Sequence, residues 1–169
     1  MKTVSLHDLS EEDQRLVAAA HAVSANAYAP YSGFAVGAAV RTRSHAIHAG
    51  ANLENASYGI TFCAEVSAIT RANAEGDFHI EAIAVTGQKF TEPFSADSVV
   101  TPCGRCRQVI LEGAQQSQVD VRVICCSGDL KTITMTSISE LLPVPFGPHN
   151  LGLENTWPAM QAQLRKRIG

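Results

Sequence analysis

Ile80-Glu81-Ala82-Ile83-Ala84-Val85 is the stretch from which the fold can be read. A short, almost continuous apolar run of this kind belongs to a strand buried at the centre of a sheet. A helix is predicted before it, over about 62–75 and ended by Gly76. Another is predicted after it, over Cys103–Ala114, with Gln88–Pro102 read as the loop between strand and helix. Further on, Val119–Cys126 and Leu130–Thr134 read as strands and Ser137–Leu142 as a short helix. Pro143, Pro145 and Pro148 then enforce an irregular stretch. Upstream, Phe34–Thr42 and His45–Ala51 form a predicted hairpin, followed by the loop Asn52–Thr61. Ser10 with Glu11-Glu12-Asp13 reads as an N-cap and acidic first turn. Leu16, Val17, Ala20 and Val23 continue at helical spacing, giving a helix over about 11–26. This order predicts an α/β chain with a three-layer α/β/α arrangement around a mixed five-stranded sheet. Residues 1–152 are expected to form one domain, and 153–169 a C-terminal extension with a helix near Ala159–Arg167.

Composition narrows the function. The chain has 169 residues, 46% hydrophobic and 17% charged, which suits one ordinary globular core. A formal net charge of −3 argues against a duplex nucleic acid as partner. The single basic cluster, Arg165-Lys166-Arg167, suits a helix C-terminus. No segment is apolar and long enough to span a bilayer, and no apolar run follows Lys2 as a signal peptide would need. A cytoplasmic protein is therefore expected. Five unevenly spaced cysteines make a poor disulfide framework, so metal binding or burial must account for them.

Pro102-Cys103-Gly104-Arg105-Cys106 puts two cysteines three apart on one face at a helix start. Free N–H groups and the positive end of the helix dipole favour thiolates there. Taken alone, the pair fits a metal site, a redox couple or two buried thiols. Cys63-Ala64-Glu65 opens the preceding helix, and two such helix starts can converge at one end of a sheet. Cys63, Cys103 and Cys106 would then give three ligands and an open fourth position, the pattern of a catalytic rather than a structural zinc. His79 and His149 read as solvated or hydrogen-bonded histidines rather than a fourth ligand. Glu65 lies about 200° around a regular helix from Cys63, so the two share a site only if Cys63 stands at the very first turn. With the cysteines beside it, a catalytic role for Glu65 is preferred to that of a simple N-terminal acid. Cys125 and Cys126, adjacent in a strand, must point to opposite faces and read as buried thiols.

These motifs resemble the zinc signature of the cytidine deaminase superfamily. Ala29-Pro30-Tyr31-Ser32-Gly33-Phe34-Ala35-Val36-Gly37-Ala38-Ala39, Asn52-Leu53-Glu54-Asn55-Ala56-Ser57-Tyr58-Gly59 and Leu141-Leu142-Pro143 with Phe146 are similar to segments of the small, homotetrameric, three-cysteine members. The likeness spans about residues 10–150. It implies hydrolytic deamination of cytidine or 2'-deoxycytidine in pyrimidine salvage, with one Zn²⁺ per subunit and active sites shared between subunits. It further implies that Asn52 and Glu54 hold the ribose hydroxyls and that Phe34 packs on the pyrimidine. Phe146 would stack on the base from a neighbouring subunit, and Tyr58 would also cross an interface. The backbone at Ala64 and a carbonyl of Thr101 or Pro102 would position the amide edge, and Glu65 would shuttle the protons.

Two departures stand out. The family has Arg directly after the catalytic Glu, where this chain has Val66, so Arg105, Arg107 or helix N–H groups are expected to offset the thiolate charge instead. The loop near Thr91–Ala96 and the tail beyond Leu151 are longer than in small members. The apolar Val66 together with Gly104-Arg105 also resembles blasticidin S deaminases. The readings therefore include a deaminase of blasticidin S or an N4-substituted cytidine, a non-catalytic zinc-binding module, and a thiol redox protein.

Overall fold

A computed structural model describes residues 1–93 and 98–169. The predicted central strand is β4 (Ile80–Lys89), which pairs antiparallel with β2 (Phe34–Thr42) and parallel with β5 (Arg122–Cys126). β3 (Ile47–Ala51) completes the hairpin with β2, and β6 (Ile133–Ser137) lies antiparallel to β5. Beyond β6 lies β1 (Lys2–Val4), so the sheet has six strands in the order β1-β6-β5-β4-β2-β3, not five. β1 is three residues long and mostly exposed, a short edge strand with no alternating pattern to betray it.

Successive residues of the central strands face opposite layers. Ile83, Val85, Val123 and Cys125 point to one side, against α2 (Ala64–Ala74), α3 (Gly104–Ser117) and α4 (Ile138–Leu141). Ala82, Ala84, Ile124 and Cys126 point to the other, against α1 (Glu11–Ser24). Each fully buried Ile or Val contributes roughly 1.5–3 kcal/mol relative to exposure. Two glycines let the helices lie directly on the sheet. A Cβ at Gly37 would collide with the Ala20 carbonyl of α1, and one at Gly50 with the backbone N–H of Ala68 in α2. Asp13, buried in α1, accepts from Arg41 of β2 at 2.9 Å and also from Arg122 of β5. Removing one partner from such a buried group is costly, on the order of 3–5 kcal/mol.

Some expected boundaries shift for local reasons. β6 starts later than Leu130 because Leu130 sits at φ 59° in a turn closed by the Ser127 N–H on the Thr132 carbonyl. The final helix, α5 (Leu153–Ile168), begins well before Ala159 and runs through Pro158. The segment Gln88–Pro102 is not all loop, since β4 runs to Lys89 and Val99 bridges to Ser127. The expected long loop at Thr91–Ala96 falls partly outside the described residues.

The parallel pair β4 and β5 is joined through α3, the crossover that parallel strands require. The start of α3 therefore lies beyond the C-terminal end of β4. Because β2 is antiparallel to β4, its first residues, Phe34 to Val36, lie at that same end. So do the end of β3 and the start of α2, linked by residues 52–63.

Candidate active site

Cys63 is the N-cap of α2 and Cys103 that of α3, both extended (ψ 154° and 169°). Cys106 lies in the first turn of α3 and is buried. The Cys63 and Cys103 sulfurs are 4.0 Å apart, those of Cys103 and Cys106 3.4 Å, and all three lie within 4.8 Å of one another. Among the described residues they form the one group of His, Cys, Asp or Glu ligand atoms close enough to share a cation. Because Cys63 caps the helix instead of riding on it, the unfavourable 200° offset does not apply, and Glu65 lines the same cleft.

The electrostatics follow from this crowding. The Cys63 thiol is pulled down to about 6, first by hydrogen bonding from Cys106 and then from Cys103, with the Arg105 charge adding and burial opposing. Cys106 is pushed upward by its hydrogen bond to Cys63, by burial and by the Glu65 carboxylate. Glu65, only 4% exposed, has its carboxyl raised chiefly by burial and further by negative charge at Cys63. A buried acid whose hold on its proton is strengthened in this way is suited to both giving and taking a proton.

Cys63, Cys103 and Glu65 open onto a cleft of about 190 Å³ whose walls include Val36, Asn52, Phe62, Ala64 and Thr101, with Cys106 buried behind them. A larger hollow of about 610 Å³ between α3 and α4 is lined by none of the three clustered thiols. The Asn52 amide clamps the start of β2, accepting from Val36 N–H at 2.9 Å and donating to the Phe34 carbonyl at 3.0 Å. Glu54 accepts from the Tyr31 and Ser32 N–H groups at 2.9 and 3.2 Å. Its carboxyl is lowered first by hydrogen bonding from Ser32. Phe34 does not line this cleft; it covers Gly87 and borders a separate small hollow. Tyr58 is 74% and Phe146 64% exposed, the former edge-on to Tyr31 at 5.7 Å, and neither belongs to the cleft wall.

The arginines expected to serve the thiolates are otherwise engaged. Arg105 donates to the Thr61 carbonyl at 3.1 Å and lies over the Phe62 ring at 5.8 Å. Arg107 donates to the carbonyls of Pro102 at 2.9 Å and Leu141 at 3.1 Å. The Arg105 charge reaches Cys63, but neither guanidinium has a hydrogen bond to sulfur among those described. Val66 is buried, facing no thiol through a polar atom.

Residues 10–123 match the family model of the cytidine and deoxycytidylate deaminase zinc-binding region. The cytidine deaminase of Halalkalibacterium halodurans is 41% identical over 135 residues, 79% of this chain and 92% of that one. A probable cytidine deaminase of Dictyostelium discoideum is 37% identical over 83% of this chain and 88% of that one. The crystal structure of the Burkholderia pseudomallei cytidine deaminase superposes with a TM-score of 0.69 at 36% identity, covering 82% of this chain and all of that one.

The chain belongs to the cytidine deaminase family.

Within this family member, two cleft features escaped the sequence reading. Phe62 and the Arg105 guanidinium that covers it meet across a loop and a helix start 43 residues apart, and neither carries a local signal of that pairing. Only the adjacency of Phe62 to Cys63 could have pointed to it.

Proposed function

We propose that this protein is a zinc-dependent hydrolase that converts cytidine or 2'-deoxycytidine to the corresponding uridine with release of ammonia. The observation that carries this reading is a cluster of three thiols, two of which line one cleft together with a buried carboxyl. The thiols fit the metal. Tetrahedral Zn–S bonds of about 2.3 Å place neighbouring sulfurs about 3.8 Å apart, and the measured 3.4 and 4.0 Å bracket that spacing. Three soft ligands at two helix N-termini suit Zn²⁺, one ion per subunit, and leave a position open for catalysis. Cys63, Cys103 and Cys106 would hold it. When bound, zinc supplies a Lewis acid that makes water a nucleophile near neutral pH.

Glu65 performs the proton work. It takes a proton from the attacking water and passes it to ring N3 as the C4–O bond forms. It then takes the proton of the new C4–OH group and delivers it to the amine, so that the C4–N bond breaks as the C4=O bond forms and ammonia leaves. Burial keeps its affinity for the proton high enough for both tasks. Asn52 and Glu54 stand together on one loop, where an amide and a carboxylate can grip a diol. The Ala64 backbone and the Thr101 or Pro102 carbonyl would read the amide edge. Exposed aromatic rings at Tyr58 and Phe146 support a homotetramer in which these rings complete neighbouring sites. A cytoplasmic role in pyrimidine salvage goes with this substrate.

Ammonia release from cytidine beside blasticidin S, with zinc measured on the same sample, is the decisive experiment. The expected result is stoichiometric zinc, loss of the cytidine absorbance and preference for cytidine. Zinc-loaded protein that leaves cytidine intact would overturn the reading.

A further inference from the structure

We propose that Phe62 is a substrate-facing wall of the cleft, set against the flat aminopyrimidine ring, and that Arg105 is the positioning residue that holds it there. The inference deepens the deaminase reading and rests on it. Phe62 is 40% exposed, so part of its side chain is open to contact. It lines the same cleft as Asn52, Cys63 and Glu65. Its backbone is fixed on both sides: its N–H and carbonyl each pair with Leu53 at 2.9 Å, between the two loop residues Asn52 and Glu54. Its ring is fixed by Arg105. That side chain leaves the first turn of α3, between Cys103 and Cys106, and crosses to the loop ahead of Cys63, where it donates to the Thr61 carbonyl and covers the ring.

One arginine thus ties the two ligand-bearing helix starts together and fixes an aromatic face between them. A guanidinium over an aromatic ring gains from both charge and stacking, and less of its freedom is lost than with lysine. An aromatic face gives a pyrimidine ring a stacking partner, worth roughly a factor of 5 to 150 in affinity by analogy with base stacking on aromatic side chains.

The test uses the zinc-loaded full chain. Wild type, Phe62→Ala, Phe62→Tyr, Arg105→Ala and the Phe62→Ala/Arg105→Ala double variant are compared for cytidine kcat and KM, zinc content, and uridine affinity by equilibrium dialysis. With zinc retained, Phe62→Ala should raise KM and weaken uridine about tenfold while kcat changes by less than about threefold. Phe62→Tyr, which keeps the aromatic face, should stay within about twofold of wild type. Arg105→Ala should raise KM about threefold, and the double variant should be no worse than Phe62→Ala alone, because the arginine acts through the ring. An unchanged KM and uridine affinity in Phe62→Ala would overturn the wall. Additive effects in the double variant would overturn the positioning role of Arg105. Should Phe62→Ala fail to fold, Phe62→Leu keeps the apolar bulk without the stacking face and must still weaken uridine. A wild type that releases no ammonia from cytidine would instead sink the deaminase reading itself.

Discussion

Five cysteines divide into two regions with opposite chemistry. Cys63, Cys103 and Cys106 cluster at two helix starts beside a cleft, while Cys125 and Cys126 lie in β5, buried on opposite faces of the sheet. In the first region crowding draws one thiol down to about 6. In the second, burial pushes both thiols up to about 12, with the Glu65 charge adding at Cys125 and Cys125 itself adding at Cys126. The residue type is the same; the backbone that presents it decides whether it becomes a ligand or a piece of core.

The strongest way to break this contrast is to remove a clustered thiol. Cys106→Ala should lose zinc and reduce ammonia release to background, measured by metal content and a coupled ammonia assay. Retained stoichiometric zinc would show that Cys106 is not a ligand. Glu65→Gln comes next and separates holding the metal from moving protons. Turnover should fall roughly 10²- to 10⁴-fold with zinc content unchanged.

Alkaline stability sharpens the other half. Both strand thiols have folded values above the ordinary 9.0 of an unfolded thiol, so their contribution is intact below pH 9 and is lost as pH rises towards 12. Denaturant midpoints should therefore fall over that window, and the fall should shrink in Cys125→Ala and Cys126→Ala. The smallest effect expected is Cys126→Ala at neutral pH: a loss of about 1 kcal/mol in stability, with full zinc and unchanged kcat.

Much of this contrast was legible in the chain itself. Cys125-Cys126 in a strand can only straddle the sheet, and Cys103-Gly104-Arg105-Cys106 after a buried strand can only open the crossover helix. The Ser10 cap and the apolar spacing of α1 were equally plain, and the Ser10 hydroxyl does accept the Asp13 N–H. What could not be read was set by tertiary meetings. β1 exists because β6 offers it an edge, not because Lys2-Thr3-Val4 carries a pattern. Arg105 is expected to partner sulfur in place of the family Arg missing at Val66, yet its guanidinium reaches a carbonyl and a ring contributed by the other helix start. Phe34 and Phe146 look alike as aromatic residues, but one lies over a glycine and the other stands in the open.

Gly50 has a reach out of proportion to its size. With no side chain, it lets α2 rest directly on β3, and the first residues of that helix carry Glu65 and follow Cys63. The depth at which the acid and one sulfur are seated is thus set from beneath, by a spacer of zero thickness. A single added methyl group at Gly50 would work as a shim under the helix, tilting the proton carrier away from its two companions across the cleft without touching any group that reacts.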